Sequence, residues 1–226
     1  MTEPDYVPDR RPISARQHPL SISIARWLAT HGVSPNAISV GGMIAGIVGG
    51  GAFACSGCLP HASIFLLIAA AGMQLRLLAN MFDGMVAIQT GRASPVGELY
   101  NEVPDRVSDA AIFIGAGYAF GGRPELGYLA AVVALFVAYV RAEGKVSGAP
   151  QDYCGPMAKP HRMAVLTAAA VFAAILPARW QENLVSVSTL GVVASALLVI
   201  VVGGAITAMR RLRRTARVLR TVPPRA

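Results

Sequence analysis

The chain has 226 residues, of which 54% are hydrophobic and only 14% are charged. Soluble domains carry about 25% charged residues, and a soluble chain of this composition would expose extensive apolar surface. The same composition excludes intrinsic disorder, a coiled coil and a collagen-like fibre. It predicts an integral membrane protein whose net charge of +8 comes from basic loops, so we expect no nucleic-acid partner.

The hydropathy pattern predicts an all-α, polytopic membrane fold with six transmembrane helices. A spanning helix needs about 20 mainly apolar residues. Such stretches lie at about 36–54, 62–82, 97–121, 126–140, 162–178 and 184–209. Ser34 is the expected N-cap of the first span, and Pro35 suits its first position. These limits divide the chain into an N-terminal arm (1–33), a membrane domain (34–209) and a basic tail (210–226).

The N-terminal arm contains a predicted amphipathic helix. Its apolar residues Leu20, Ile24, Trp27 and Leu28 recur at helical spacing. Such a helix either lies in the membrane interface, with Trp27 at the level of the headgroups, or packs on the protein itself. We expect no cleavable signal peptide, because the first 19 residues contain four prolines and no apolar run.

The positions of Lys and Arg predict the orientation in the membrane. Of the 20 such residues, sixteen lie in the arm, in the loops after the second and fourth spans, and in the tail. Only Arg123 and Arg179 lie on the opposite side. The positive-inside rule therefore places both termini in the cytoplasm, and we expect a bacterial inner membrane protein. The basic tail either fixes this topology or also binds anionic lipid headgroups.

Polar residues gather at one end of the second and third spans, where burial of charge is costly and therefore indicates function. The helical spacing of these residues would place their oxygen atoms on two facing helix surfaces. Oxygen ligands without His or Cys suit Mg²⁺, Mn²⁺ or Ca²⁺. Ion pairing of some acids with Arg76 or Arg106 is the alternative. The candidate metal ligands are Asn80, Asp83, Asn101, Glu102, Asp105 and Asp109.

The stretch from Asn80 to Asp105 reads N-x2-D-G-x2-A-I-x8-G-x3-N-x3-D. It resembles the signature of the CDP-alcohol phosphotransferase family, D-x2-D-G-x2-A-R-x8-G-x3-D-x3-D, with every spacing intact. Five of the eight fixed positions match, and the departures are Asn80, Ile88 and Asn101. Further similarity covers 35–39, 139–142 and 155–162, so that the resemblance extends over nearly the whole chain.

The resemblance implies a phospholipid-synthesising transferase. Such an enzyme moves a phosphatidyl group from CDP-diacylglycerol to a small polar alcohol and releases CMP. It implies one or two Mg²⁺ or Mn²⁺ ions, with Asp105 acting as both ligand and general base. The ligand positions carried over are Asn80, Asp83, Asn101 and Asp105. The implied substrate-binding residues are Gly84, Ala87 and Gly97 toward the nucleotide, and Arg141, Lys159 and Arg162 toward phosphate groups.

The substitutions leave several alternatives open. Two Asn residues in place of Asp remove two negative charges, so either one metal site is lost or Glu102 and Asp109 compensate. A shifted register would use Asp105 and Asp109 as the final pair, but it breaks the spacing to Gly97. A catalytically silent CDP-lipid binder or a membrane assembly partner is the second hypothesis.

The place of the polar residues, the glycines of the first span and Cys154 bear on three further interpretations. A small transporter is disfavoured, because the polar residues gather at one membrane face rather than at the midplane. The glycines of the first span suit either a homodimer interface or packing within one chain. Cys154 has no convincing base beside it in the sequence and is predicted to be incidental.

Overall fold

The computed structural model describes residues 14–92, 94–177, 180 and 190–220, and every regular element in these residues is helical. The all-α prediction is therefore confirmed for this part of the chain. A short 3-10 helix (Ser14–Gln17) precedes the α-helices. The α-helices whose bounds lie within these residues are α1 (Pro19–Thr30), α2 (Pro35–Cys58), α3 (Ala62–Gln89), α4 (Pro95–Gly117), α5 (Pro124–Val146), α6 (Lys159–Ile175) and α7 (Val192–Leu219).

Among the described helices, α2, α3, α5 and α7 are long and apolar enough to cross a membrane. Helices α4 and α6 coincide with the other two predicted spans, but α4 carries the charged cluster and α6 has only 17 residues. Part of the sixth predicted span, 184–189, lies outside the described residues. Helix α7 continues beyond position 209 to Leu219, so the first half of the predicted basic tail is helical.

Serine caps fix where two of the helices begin. Ser34 Oγ accepts a hydrogen bond from the Ala37 amide at 3.1 Å, with Pro35 in the first turn, as the sequence predicted. Ser94 Oγ does the same for the Gly97 amide at 3.1 Å, ahead of α4. The start of α4 matters for the site, because it sets the positions of all the polar side chains that follow along this helix.

Helix α2 packs along both α3 and α4 and holds them side by side. The approach to α4 is close because Gly50 lies directly against the backbone carbonyl of Ala111, where a Cβ atom would collide. Helices α5 and α7 pack together on the far side of α4, and α6 joins α3 to α7. The buried core between them is apolar and includes Phe53, Leu66, Met73, Ile112, Phe113, Leu166 and Leu197.

Helix α1 lies against one end of α3. Ala25 is fully buried among Met81, Met85 and Val86, and Leu28 packs against the same cluster. Leu20 and Trp27 face outward and are 62% and 57% exposed. Packing on the protein therefore accounts for one face of the amphipathic helix, while an apolar face remains open on the other side.

We expect the Gly50→Ala variant to unfold more readily than the wild type, because its Cβ atom would overlap the Ala111 carbonyl. Overpacking of this kind costs about 1–3 kcal/mol. Gly51→Ala is the matched control, since a Cβ atom there meets nothing within 4 Å. Thermal unfolding in detergent micelles measures the difference. Equal melting temperatures for the two variants would contradict the close contact between α2 and α4.

Candidate functional site

A polar cavity of about 220 Å³ lies where α3 ends and α4 begins, which we call the site end of the helix bundle. Its walls come from five helices, α3 to α7, from the segment that connects α5 to α6, and from Arg16 of the short 3-10 helix. The lining residues that carry polar groups or belong to the motif are Arg16, Asn80, Asp83, Gly84, Asn101, Glu102, Asp105, Arg106, Arg141, Tyr153, Lys159, Arg162 and Arg211.

Asp83 is buried in α3 and is held in place by two donors. The Ser39 hydroxyl of α2 donates to Asp83 Oδ2 at 2.7 Å, and the Gly84 amide donates to Oδ1. Ser39 is the last residue of the 35–39 stretch that resembles the family. The start of α2 therefore orients the first carboxylate of the site.

Asp105 of α4 is buried and surrounded by nitrogen atoms from two other helices. Its Oδ1 accepts hydrogen bonds from Arg76 and, at 2.6 Å, from the Asn80 amide nitrogen. The ammonium group of Lys159 lies 2.6 Å from the same oxygen. Arg106 lies 3.3 Å from Oδ2. Arg76 and Arg106 therefore both pair with Asp105, which is the alternative that the sequence left open for some of the acids.

The two asparagines of the motif contribute unpaired oxygen atoms. Asn80 Oδ1 and Asn101 Oδ1 are both buried, and neither accepts a hydrogen bond within the described part of the chain. A buried acceptor without a donor costs free energy unless a ligand satisfies it. Within the described residues no three His, Cys, Asp or Glu side chains form a metal cluster, so the oxygen donors here combine carboxylates with amides.

The opposite wall of the cavity is basic. Arg141 contacts Glu102 at 2.5 Å and lies over the Tyr153 ring at 5.6 Å. Lys159 begins α6 and also contacts Asp109 at 3.1 Å. The wall is completed by Arg162, which is 3.7 Å from Asp109, and by Arg211, which donates to the backbone carbonyls of Cys154 and Val137.

Most of the candidate residues share this one cavity. Those that line it are Asn80, Asp83, Gly84, Asn101, Glu102, Asp105, Arg141, Lys159 and Arg162. Three candidates lie outside the described lining: Ala87 is buried, the Gly97 amide binds the Ser94 cap, and Asp109 is paired with Lys159 and Arg162. Because Asn101 lines the cavity and Asp109 does not, the geometry favours the unshifted register of the motif.

The sequence assigned no role in the site to Ser39, Tyr153 or Arg211, and it gave Arg76 only as an ion-pair partner for some of the acids. Arg76 precedes Asn80 by one helical turn, so its spacing carried a signal for the same helix face. Tyr153 and Arg211 come from a connecting segment and a distant helix, and local spacing holds no information about them. Ile88, which replaces the family's Arg, is 61% exposed and lies outside the described lining.

Cys154 adjoins the cavity wall but is not activated. Its thiol lies 3.2 Å from Asp152 Oδ2, and its backbone amide also donates to Asp152. Burial and the nearby carboxylate raise the pKa of the Cys154 thiol. The thiol therefore stays protonated at neutral pH, in keeping with an incidental role.

No family model matches the chain. Individual proteins of known function are nevertheless similar to it in sequence. A phosphatidylinositol phosphate synthase of Mycobacterium marinum is 29% identical over 154 residues, covering 65% of this chain and 62% of that relative. One from Streptomyces avermitilis is 29% identical, covering 67% and 62%. An archaetidylinositol phosphate synthase of Pyrococcus horikoshii is 27% identical, covering 67% and 77%. The chain thus spans about 62% of the length of the first two relatives.

The fold is shared with solved structures of phosphatidylinositol phosphate synthase from Mycobacterium tuberculosis. The form in complex with manganese and citrate has a TM-score of 0.70, covering 86% of this chain and 88% of that one. The form with CDP-DAG bound has a TM-score of 0.69, covering 86% and 92%. Both are 22% identical to this chain. Phosphatidylinositol phosphate synthases are CDP-alcohol phosphotransferases, so the proteins similar to this chain belong to the family whose signature its motif resembles.

We expect the Asp152→Asn variant to speed alkylation of Cys154 several-fold at pH 8. The substitution removes the negative charge that opposes the thiolate, so the pKa of the thiol falls while its burial remains. The rate of iodoacetamide labelling against pH, in a Cys55→Ser/Cys58→Ser background, measures the effect. Glu125→Gln is the control, because Glu125 lies in the first turn of α5, whereas Cys154 lies in the segment that follows its last turn. Equal labelling rates for the two variants would contradict the assigned contact.

Proposed function

We propose that this chain is a transferase that moves the phosphatidyl group of CDP-diacylglycerol to a small polar alcohol and releases CMP. The observation that carries the proposal is the shared cavity, in which the four ligand positions of the motif face a basic wall. Two comparisons support it. Similar curated proteins are named phosphatidylinositol phosphate synthases, and a protein of the same fold has been solved with CDP-DAG bound.

We propose that the centre holds a divalent cation, Mg²⁺ or Mn²⁺. The unpaired buried oxygens of Asn80 and Asn101 line the cavity together with the carboxylate of Asp83. Such hard oxygen donors fit these ions, and a protein of the same fold has been solved with manganese. When bound, the ion supplies positive charge against the diphosphate of the donor.

Residues of this chain accept the hydroxyl proton of the alcohol and orient the reacting groups. The alcohol oxygen forms a bond to the phosphorus of the phosphatidyl group, and the bond from that phosphorus to the bridging oxygen breaks. CMP leaves with the bridging oxygen. Asp105 takes the hydroxyl proton at Oδ2, since nitrogen atoms of Arg76, Asn80 and Lys159 already surround Oδ1. The residues thus contribute mostly by positioning the substrates and neutralising charge, as phosphoryl transfer requires.

We propose a phosphorylated polyol as the acceptor, with an inositol phosphate as the first candidate. The basic wall supplies Arg141, Lys159, Arg162 and Arg211, which exceeds what the neighbouring Glu102 and Asp109 balance. Guanidinium groups bind phosphate in a two-pronged geometry. The names of the similar proteins, phosphatidylinositol phosphate synthase and archaetidylinositol phosphate synthase, point to the same class of product.

We propose six membrane crossings, with α4 and α6 joining the four apolar helices. Helix α6 has 17 residues and is about 26 Å long, close to the hydrocarbon thickness of about 30 Å. The site end then faces the cytoplasm together with both termini, and α1 lies in the interface with Leu20 and Trp27 toward lipid. The division into an arm, a membrane domain and a basic tail follows from this topology.

We expect the purified protein to release CMP from CDP-diacylglycerol, and we expect Asp105→Asn to lower the rate by about 100-fold or more, as loss of a general base does. The assay supplies inositol phosphate, glycerol phosphate, inositol or serine in turn and measures CMP. Glu125→Gln is the control, because Glu125 lies in the first turn of α5 at the other end of the bundle. Full turnover by Asp105→Asn would overturn the assignment. Binding of CDP without CMP release from any acceptor would instead favour the silent binder.

Removal of divalent ions provides a separate test. We expect chelation by EDTA to abolish CMP release and Mn²⁺ or Mg²⁺ to restore it, because the donor diphosphate needs the ion's charge. Thermal unfolding of the same samples shows whether chelation damages the fold. Turnover that persists in EDTA would contradict a metal-dependent centre.

A further inference from the structure

Arg76 is a fully enclosed cation beside the proposed metal ligands. It lies in α3, one turn before Asn80, and is 1% exposed. A charged side chain within a membrane helix is expensive to bury, so its presence calls for a functional reason. On the proposed function, we infer that the Arg76 guanidinium permanently replaces one divalent ion, so that this centre binds a single metal ion.

The surroundings of Arg76 are shaped to hold it against Asp105. Its Nε donates to Ser108 Oγ at 2.9 Å, and its terminal nitrogen donates to Asp105 Oδ1. Gly42 of α2 leaves the necessary space, since a Cβ atom there would lie 2.8 Å from the other terminal nitrogen. Contacts from α2 and α4 therefore fix the guanidinium in one position.

The surroundings of Asp105 leave one of its oxygens without capacity for a metal ion. A carboxylate oxygen has about two lone-pair positions. Nitrogen atoms of Arg76, Asn80 and Lys159 already contact Oδ1. Only Oδ2 remains for a ligand, with Arg106 at 3.3 Å. A carboxylate in this state cannot bridge two ions through both oxygens, and its open Oδ2 is the atom that takes the hydroxyl proton in the proposed reaction.

The two Asn residues that stand in place of Asp in the motif fit a centre in which Arg76 supplies positive charge. The Asn80 amide nitrogen donates to Asp105 Oδ1, which a carboxylate at position 80 could not do. The four ligand positions carry two negative charges in place of four, and Arg76, together with Lys159 at the same Asp105 oxygen, offsets them. One divalent ion exceeds the remaining charge, and a second ion would add two positive charges that no carboxylate of the motif balances.

The test counts the Mn²⁺ ions that the full-length protein binds in detergent with CDP present, by elemental analysis and electron paramagnetic resonance. We expect one Mn²⁺ per chain in the wild type, without the spectral broadening of a coupled pair. The double variant Asn80→Asp/Asn101→Asp keeps Arg76 and is expected to stay at one. The triple variant that adds Arg76→Met is expected to bind two coupled ions.

Each outcome decides the inference. Two ions or none in the wild type, two ions in the double variant, or one ion in a folded triple variant would overturn it. If the triple variant fails to fold, the wild type and the double variant still decide. CMP release is measured in parallel. One bound ion without turnover would leave this inference standing and overturn the proposed function, whereas two ions with turnover would do the reverse.

Discussion

The organisation of the site depends on one buried carboxylate. Asp105 lies on α4, yet its Oδ1 is contacted by Arg76 and Asn80 from α3 and by Lys159 from the start of α6. Breaking a buried ion pair of this kind is costly, because it leaves an uncompensated charge. The carboxylate thus ties three helices together at the site end, and the same contacts determine which of its oxygens remains available for chemistry.

The motif was predictable because its information is local. Asn80 and Asp83 lie within one turn of α3, and Asn101 and Asp105 lie one turn apart on α4, so helical spacing alone places each pair on one face. The two pairs meet because α2 packs against both α3 and α4, and Gly50 lets α2 lie close to α4 at Ala111. The sequence showed a glycine-rich helix without showing which neighbour each glycine meets.

The role of Arg76 was less accessible to sequence reasoning. The sequence left ion pairing of Arg76 with the acids as an alternative, but it did not identify its partners Ser108 and Asp105, which follow about 30 positions later. The same limit applies to Arg211, whose acceptors Cys154 and Val137 precede it by more than 50 residues. Tertiary contacts of this kind depend on how helices pack, and hydropathy and spacing do not encode that.

The path of α7 has a consequence for the cavity wall. Its apolar stretch ends near Met209, but the helix continues to Leu219, and Arg211 in this polar extension donates to the Val137 carbonyl of α5 and to the Cys154 carbonyl in the segment before α6. Helix α7 therefore has two different parts: its first part is apolar enough to cross a membrane, and its last turns hold backbone segments beside the cavity. A chain shortened where the hydrophobic residues stop would keep the apolar part of α7 yet lose the Arg211 hydrogen bonds beside the cavity.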